Sequence, residues 1–284
     1  MMRKSAASDA DEVMLDLEDA VAPAEKEAAR DRVVEAIQEF DWSDTLVAVR
    51  INGLDHPDAY GDLIAVGEGA GEAIDTVIVP KVERPEDVYV VDTLLDQIEA
   101  KAGVATPIGI EVLIEEVAAL QRVDGIAAAS DRLEALIVGF ADYAASQGVN
   151  LDGVGGETGY PGDVWHYVRN RTVVAARANG LDAIDGPYAD ISDSEGYREE
   201  CVRSRTLGFV GKWAIHPSQV GIANEVYAPD PDDVEHARRV VEAMEESRTE
   251  GRGVATLDGE MLDEASLRRA RATLETAREI EMLD

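Results

Sequence analysis

The stretch IGIEVLIEEVAALQRVDGIAAA, residues 108–129, decides the fold because it places a short apolar run directly before a helical pattern. Residues 108–114 are rich in β-branched side chains, and residues 116–129 carry apolar side chains at helical spacing. Six further apolar runs occur at residues 13–17, 46–51, 76–79, 135–140, 183–184 and 209–215. Helical patterns separate these runs, so we expect repeated β-α units that form a parallel sheet.

Seven apolar runs are one fewer than the eight strands of a (β/α)8 TIM barrel. The rival architecture, a doubly wound open sheet, is disfavoured because no G-x-G-x-x-G pattern follows the first run. Residues 1–11 have a helical pattern that leads directly into the first run, with no strand before it. We therefore expect a (β/α)8 TIM barrel whose first strand is missing from this chain, followed by a C-terminal helical extension.

The alternation of strand and helix patterns ends near residue 230. Two amphipathic helices are predicted beyond this point, and a loop with three glycines joins them. The change predicts a TIM-barrel catalytic domain over residues 1–229 and a helical lid or arm over residues 230–284. The arm is expected to dock on a neighbouring subunit of a homo-oligomer.

Acidic residues dominate the charge of the chain, with 59 Asp and Glu against 26 Lys and Arg and a net charge of −33. This charge excludes nucleic acid as a partner and disfavours an anionic membrane, because phosphate groups bind to basic surfaces. Hydrophobic residues, at 45%, are enough for a packed core, and the single Cys201 excludes a disulfide framework. No apolar run approaches the roughly 20 residues of a membrane helix, so the protein is predicted to be soluble and cytoplasmic.

A composition this acidic and this poor in lysine is typical of proteins from a salt-rich cytoplasm. Lysines are few, and so large a negative charge repels itself unless high salt screens it. We therefore expect a halophilic protein. The alternative is an acidic protein that is merely very soluble.

Polar side chains follow nearly every apolar run, where the carboxyl end of a barrel strand is expected. Glu115 and Asp142 follow consecutive runs and are one β-α repeat apart, so they are expected to lie on neighbouring strands. Two carboxylates that close repel each other unless a proton or a cation lies between them. Because only oxygen ligands are nearby, Mg²⁺ is the predicted cation. The alternative is that both residues begin helices, where acidic side chains favour the helix dipole.

Three other polar residues each have two interpretations. Arg50 ends an apolar run and is suited to binding a substrate carboxylate, or it forms a structural ion pair with Glu18 or Asp19. His216 is either a ligand or a packed, capping histidine. Asp263 precedes the last predicted helix and is most simply its N-cap.

A set of motifs spans nearly the whole chain. They are LDLEDAVAP (15–23), VRIN (49–52), VPKVE (79–83), EVLIEE (111–116), IAAASDRLEALIVGFADYAAS (126–146), AIDGPY (183–188), GFVGKWAIHPSQV (208–220) and EMLDEASLRRA (260–270). Together they resemble the HpcH/HpaI aldolase and citrate lyase β-subunit superfamily, and within it the lyases that act on malyl-CoA and β-methylmalyl-CoA. Two features depart from that pattern: an initial strand of the type R-S-x-L-x-V-P-G is absent here, and residues 153–164 form a shorter stretch than expected.

The resemblance implies a (β/α)8 barrel, a homo-oligomer (trimer or hexamer) and a carbon–carbon lyase that uses Mg²⁺, or Mn²⁺ in its place. The implied partners are a CoA thioester and a glyoxylate-type oxo acid. The reaction would convert malyl-CoA or β-methylmalyl-CoA reversibly into glyoxylate and acetyl-CoA or propionyl-CoA. A malyl-CoA thioesterase or a citramalyl-CoA lyase would use the same site, and a non-catalytic acidic binding subunit is the alternative from another class.

Carried over by position, the resemblance assigns roles to residues of this chain. Glu115 and Asp142 would be the metal ligands, and Arg50 would be a catalytic residue that holds the carboxylate of the oxo acid. Asp263 would be a catalytic aspartate that reaches the site of an adjacent subunit. The residues that would contact the CoA thioester are Lys4, near the phosphates, and Ala141, Asp142, Ile215 and His216, on the thioester side.

Overall fold

A computed structural model describes residues 2–149, 162–280 and 282–283 of the chain. The chain divides into two compact units, residues 1–223 and residues 224–284. Most of residues 153–164, the stretch expected to be short, lies outside the described residues. Within the described ranges, no helix has the length and apolar character needed to cross a lipid bilayer.

Parallel strands form a single sheet in the first unit, and they pair in the order in which they occur along the chain. The strands are β1 (Glu12–Asp16), β2 (Leu46–Arg50), β3 (Thr76–Val79), β4 (Gly109–Ile114), β5 (Leu133–Val138), β6 (Asp182–Asp185) and β7 (Gly211–Lys212). Each strand coincides with one of the seven predicted apolar runs. Side chains from six of these strands meet in one cluster on the inner face, so the sheet curls into part of a barrel and confirms the expected (β/α)8-type fold.

Helices connect successive strands, as parallel pairing requires. Up to residue 227 they are α1 (Met2–Ser5), α2 (Lys26–Glu39), α3 (Ala59–Ala70), α4 (Pro85–Ala102), α5 (Val117–Gln121), α6 (Val123–Ala127), α7 (Phe140–Gln147), α8 (His166–Ala178), α9 (Ser194–Leu207) and α10 (Pro217–Tyr227). Gly103 and Gly148 end α4 and α7 in the left-handed conformation, at φ 79° and 72°, which glycine adopts without a steric penalty.

The inner face of the curled sheet has three layers, because side chains alternate along each strand. The middle layer is apolar and consists of Ala48, Ile78, Leu113 and Ile137, with Met14, Ile184 and Trp213 packed against it. On β1, Glu12 and Asp16 lie on either side of this layer. Glu111 within β4 and Glu115 directly after it also lie on either side of the apolar layer. Polar layers therefore lie at both the amino ends and the carboxyl ends of the strands.

Two predicted elements are shorter than expected. The helix expected over residues 1–11 is confined to α1, which covers four residues. Strand β7 covers two residues rather than residues 209–215. It pairs with β6 alone, through residues 211 and 212, and the flanking residues of the run have no register partner on that neighbour.

The second unit consists of two helices and a hairpin: α11 (Pro231–Thr249), β8 (Ala255–Leu257), β9 (Glu260–Leu262) and α12 (Glu264–Glu279). Both predicted amphipathic helices are present. Their apolar faces, together with Leu262 of β9, form a core; the helical residues are Val234, Ala237, Val240, Met244, Leu267, Ala270, Leu274 and Ala277. The predicted loop between the helices is a β-hairpin whose turn residues, Asp258 and Gly259, both have positive φ. Asp-Gly is a favoured pair for such a turn, and the glycine-rich composition alone did not reveal it.

Candidate active site

An ion pair joins the carboxyl ends of β1 and β2. Arg50 Nε and Nη2 donate hydrogen bonds to the two carboxylate oxygens of Asp16, at 2.8 Å and 2.6 Å. Burial raises the pKa of Asp16, but the hydrogen bonds and the charge of Arg50, with main-chain hydrogen bonds from Glu18 and Ala20, together hold this pKa below its usual value. The guanidinium of Arg50 therefore has a fixed direction at the rim of the barrel.

Glu18, two residues beyond β1, lies between two cations. Its Oε2 is 3.1 Å from Arg50 Nη1, and its Oε1 is 2.9 Å from Lys81 Nζ. The ammonium of Lys81 is the partner of Oε1, and no other donor among the described residues contacts this oxygen. The side chain is only 6% exposed, and burial raises its pKa above the usual value. Glu18 is thus a buried carboxylate with a cation beside each of its two oxygens.

Lys81 follows β3 and adopts the left-handed conformation, with φ at 54°. This conformation is uncommon for a residue with a side chain. Its main-chain N–H donates a hydrogen bond of 2.8 Å to Oε1 of Glu115. One residue therefore contacts two acidic groups of the rim, Glu115 through its backbone and Glu18 through its ammonium.

Glu115 directly follows β4 and is 3% exposed. Burial raises its pKa to about 7, the charges of Asp142 and Glu18 act in the same direction, and the hydrogen bond from Lys81 opposes them. Gly139 makes room for this side chain, because a Cβ at residue 139 would lie 2.5 Å from Glu115 Oε2. The carboxylate is therefore held between the turn after β3 and the turn after β5.

Asp142 is half-buried in the first turn of α7, which follows β5. Its negative charge raises the pKa of both Glu115 and Lys81. The structure thus brings Glu115 and Asp142 into one electrostatic environment, at the ends of neighbouring strands. The sequence predicted this pairing from the spacing alone.

The charges at this rim match a divalent cation. Four carboxylates face two cations: Asp16, Glu18, Glu115 and Asp142 against Arg50 and Lys81. With all four carboxylates ionised the rim has two excess negative charges, which a bound cation would offset; burial is the main cause of the raised pKa of Glu115, and the charges of Asp142 and Glu18 add to it. Among the described residues, no three His, Cys, Asp or Glu side chains are grouped closely enough to hold a metal, so the metal role of Glu115 and Asp142 stays a prediction. Two carboxylates with open positions for water and substrate fit Mg²⁺.

Arg50 forms the structural ion pair that the sequence left open, and its main partner differs from the two expected. The bidentate contact is to Asp16, while Glu18 is a second partner and the exposed Asp19 lies 4.0 Å away. An aspartate inside an apolar run is only a weak signal of this role. The substrate contact of Arg50 stays a prediction.

The segment that contains Ile215 and His216 is organised by a buried glutamine. Gln219 Oε1 accepts hydrogen bonds from the main-chain N–H groups of both residues, at 2.8 Å and 3.2 Å. Its amide donates to the carbonyl of Tyr188 at 3.1 Å. The ring of His216 is exposed, with Nδ1 2.8 Å from Ser218 Oγ. The capping interpretation of His216 therefore fits its local contacts, and its contact with a thioester stays a prediction.

The remaining predicted site residues lie in different surroundings. Ala141 is exposed beside Asp142 in α7. Lys4 is exposed in α1, whose Arg3 contacts Glu39 at the end of α2. Asp263 caps α12: its Oδ1 accepts a hydrogen bond of 2.9 Å from the N–H of Ser266. The roles of these residues toward a CoA thioester stay predictions.

Among five further contributors to the rim, Glu18 was named only as a possible ion-pair partner of Arg50, and Asp16, Lys81, Gly139 and Gln219 were given no role from sequence. Each has a weak signal. A charged residue within or just after an apolar run signals a group at a strand end, and Gly139 stands directly between a run and a helix. Such signals assign a role to a residue only once its partner on another strand is known.

The fold and the rim define a β/α-barrel protein with an acidic site that fits a divalent cation. The sequence matches the HpcH/HpaI aldolase/citrate lyase family over residues 1–217, and the chain belongs to this family. It is 44% identical to the L-malyl-CoA/β-methylmalyl-CoA lyase of Cereibacter sphaeroides, over 98% of this chain and 90% of that protein. The resemblance drawn from the motifs is confirmed.

Solved structures agree with this assignment. CitE of Mycobacterium tuberculosis, in complex with magnesium, acetoacetate and coenzyme A, is 32% identical with a TM-score of 0.72, over 94% of this chain and 89% of that one. A citrate lyase from Burkholderia xenovorans LB400 has a TM-score of 0.82 at 21% identity, over 95% of this chain and 84% of that one. The second likeness supports the fold alone.

Proposed function

We propose that this protein is a Mg²⁺-dependent carbon–carbon lyase that cleaves malyl-CoA or β-methylmalyl-CoA into glyoxylate and acetyl-CoA or propionyl-CoA, reversibly. The observation that carries the proposal is the pairing of Glu115 with Asp142 in a rim that has two excess negative charges. The relative from Cereibacter sphaeroides is named for this reaction, and CitE was solved with magnesium and coenzyme A. Both support the choice of substrate and cation.

Glu115 and Asp142 would hold the Mg²⁺, which when bound supplies a Lewis acid that acidifies the substrate hydroxyl and stabilises the oxo acid. Arg50 binds the carboxylate next to that hydroxyl. Asp16 fixes the plane of Arg50 before the substrate arrives, through two hydrogen bonds. Glu18 and Lys81 balance the charge around it.

Cleavage transfers the proton of the substrate hydroxyl to solvent water, breaks the carbon–carbon bond, and leaves the electron pair of that bond on the acyl-CoA as an enolate. The α-carbon of that enolate must then gain a proton. Asp263, contributed by another copy of this chain in a homo-oligomer (trimer or hexamer), is the proposed donor. In the direction of synthesis the same carboxylate removes that proton.

A product assay tests the proposal. The full chain is incubated with malyl-CoA and Mg²⁺ in high salt, and glyoxylate and acetyl-CoA are measured against time. Turnover should stop on chelation of the metal and in Asp142→Ala, which removes a ligand. Turnover that continues without a divalent cation would contradict the metal assignment.

The same assay separates the alternatives. Malate with free CoA would identify a thioesterase, and pyruvate from citramalyl-CoA would identify a citramalyl-CoA lyase. A non-catalytic binding subunit would give no product from any of the three thioesters. The complete set of Glu115, Asp142 and Arg50 at one rim speaks against that last alternative.

We further propose that the protein works in a salt-rich cytoplasm, that Mn²⁺ can replace Mg²⁺, and that residues 230–284 dock on a neighbouring subunit. The net charge of −33 supports the first point, because high salt screens the repulsion among so many carboxylates. Thermal unfolding measured from low to high KCl should show stability rising with salt.

A further inference from the structure

Lys26 is a buried lysine that the proposed reaction does not use. It begins α2 and is 8% exposed. Its ammonium donates three hydrogen bonds, to the carbonyls of Leu17 at 2.8 Å and Glu18 at 2.6 Å and to Asn52 Oδ1 at 2.7 Å. Three hydrogen bonds are all that an ammonium can donate. The three acceptors are neutral oxygens, so this lysine acts through the direction of its hydrogen bonds and not through an ion pair with them.

The three acceptors lie at the carboxyl ends of two neighbouring strands. Leu17 and Glu18 follow β1, and Asn52 lies two residues beyond β2. The side-chain amide of Asn52 also donates to the carbonyl of Leu17 at 2.9 Å. The N–H of Leu17 donates in turn to the carbonyl of Arg50 at 2.9 Å. Lys26 therefore joins the turn after β1 to the turn after β2, at the point where Arg50 ends its strand.

A second cation of α2 supports this connection. Arg30 lies about one turn beyond Lys26 on the same face of the helix, and its Nε donates to Asp62 Oδ1 of α3 at 2.7 Å. Asp62 is fully buried, and its Oδ2 accepts hydrogen bonds from the main-chain N–H and the side-chain amide of Asn52, at 2.9 Å and 2.6 Å. Asn52 is therefore held from two sides, by Asp62 and by Lys26.

A continuous chain of hydrogen bonds leads from Lys26 to the guanidinium of Arg50. Lys26 binds the carbonyl of Glu18, and the N–H of that same residue donates to Asp16 Oδ1 at 2.9 Å. Asp16 Oδ1 also accepts the hydrogen bond of 2.8 Å from Arg50 Nε. The turn after β1 thus closes around the carboxylate that fixes Arg50. Because Lys26 holds this turn, the orientation of Arg50 depends on Lys26.

We propose that Lys26 is a positioning residue for the oxo-acid subsite: it holds the turns after β1 and β2 so that Asp16 presents Arg50 to the carboxylate of the oxo acid. This inference rests on the proposed function, in which Arg50 binds that carboxylate. A misplacement of about 1 Å that starts far from the reacting atoms can cost about 100-fold in rate. Loss of Lys26 is therefore felt at the oxo acid, through Arg50.

Steady-state synthesis of malyl-CoA from glyoxylate and acetyl-CoA tests this role, with the full chain, Mg²⁺ and high KCl. Lys26→Met keeps an unbranched side chain and removes all three hydrogen bonds. The KM for glyoxylate should rise about 10-fold or more. The KM for acetyl-CoA, and the affinity for Mg²⁺ measured by calorimetry, should stay at the wild-type values. Lys101→Met is the matched control, because it removes an exposed lysine that pairs with Glu68, and it should leave all three quantities unchanged.

Two further variants separate positioning from a loss of stability. Val33→Ala removes packing on the buried face of the same helix, so it lowers the thermal stability without touching the hydrogen bonds of Lys26. Its KM for glyoxylate should equal that of the wild type. Lys26→Gln shortens the side chain, and it decides if thermal unfolding shows that Lys26→Met does not fold. A wild-type KM for glyoxylate in the deciding Lys26 variant, or a rise no larger than in Val33→Ala, overturns the inference.

A variant of Arg50 shows if Lys26 acts through this residue. Arg50→Lys replaces the planar fork of the guanidinium with a single ammonium, so the KM for glyoxylate should rise. Adding Lys26→Met to Arg50→Lys should then raise it little further, because both substitutions act on one contact. Effects that add in full would contradict the inference.

The same pair of variants distinguishes this failure from failure of the proposed function. If Arg50→Lys raises the KM for glyoxylate and Lys26→Met does not, the role of Arg50 stands and only the role of Lys26 is wrong. If Arg50→Lys keeps the wild-type KM, the role of Arg50 in the proposed function is wrong, and the inference fails with it.

Discussion

The main-chain N–H of Lys81 donates a hydrogen bond of 2.8 Å to Glu115 Oε1 from a left-handed backbone with φ at 54°. In this conformation the Cβ of an L-residue is crowded by the backbone, which costs about 1–2 kcal/mol. The conformation nevertheless persists, and it directs a donor at a carboxylate that is 3% exposed. Local strain at this turn thus accompanies the placement of a proposed metal ligand.

Substitutions at residue 81 can separate its backbone from its ammonium. Lys81→Gly and Lys81→Val both remove the charge, but only valine opposes a positive φ. Lys81→Val should be less stable than Lys81→Gly by about 1–2 kcal/mol and should bind Mg²⁺ more weakly. Chemical unfolding and calorimetry measure the two quantities. Equal stability and equal affinity in this pair would show that the backbone geometry is unimportant.

Gly139 is predicted to be intolerant of any side chain. A Cβ there would lie 2.5 Å from Glu115 Oε2 and 2.6 Å from Glu115 Cβ, so Gly139→Ala must displace the carboxylate. We expect kcat to fall about 100-fold, as for a displacement of about 1 Å in a catalytic group. Gly221→Ala is the control, since a Cβ on that helical glycine meets nothing within 4 Å, and its activity should be unchanged. Similar activities in the two variants would contradict this packing.

The acidic layer at the amino ends of the strands predicts a pH-dependent stability. Burial raises the pKa of Glu12 from 4.5 to about 9, and the neighbouring Glu111, Asp75 and Glu134 act in the same direction. Between these two pH values the native chain keeps a proton that the unfolded chain loses, so stability falls as the pH rises from 4.5 towards 9. The slope for one proton is at most about 1.4 kcal/mol per pH unit.

Glu12→Gln should flatten this dependence and should raise the free energy of unfolding at pH 8. Chemical unfolding at a series of pH values measures the effect. Glu35→Gln, at an exposed position of α2, is the control and should leave the slope unchanged. A Glu12→Gln variant with the wild-type slope would show that Glu12 does not hold the proton.

Substitutions at Asp263 can separate its role as a helix cap from its proposed role as a proton donor. Asparagine caps a helix about as well as aspartate, so Asp263→Asn should keep the cap on α12 and the stability, whereas Asp263→Ala should lose about 1 kcal/mol. As the proposed proton donor and base, Asp263→Asn should stop exchange of the acyl α-proton with solvent while it spares CoA binding. Exchange is followed by NMR in heavy water. If it persists in Asp263→Asn, the residue is only a cap.

The strands could be predicted from sequence because each is a contiguous apolar run whose partners are set by chain order. Glu115 and Asp142 could be predicted for the same reason: spacing of one β-α repeat fixes neighbouring strand ends. These inferences need only local patterns and the general geometry of parallel sheets.

Other contacts depend on geometry that a local pattern does not encode. The partner of Arg50 is Asp16, because β1 and β2 pair in a register that sets these two residues side by side. The residue type does not reveal the positive φ of Lys81, because such a backbone conformation at a functional site is imposed by the surrounding structure. The Asp258–Gly259 turn did have a signal, and the surrounding glycines concealed it.

The apolar middle layer of the barrel has a consequence for how the protein responds to its surroundings. The charges that shift the pKa of Glu115 belong to the carboxyl-end rim, and those that shift the pKa of Glu12 belong to the amino-end layer. Glu111 within β4 and Glu115 directly after it are four residues apart, which is about 13 Å along an extended strand. Separate sets of charges therefore govern the two ends: a rise in pH past about 7 ionises Glu115 and favours cation binding at the rim, while Glu12, with a pKa of about 9, still keeps its proton.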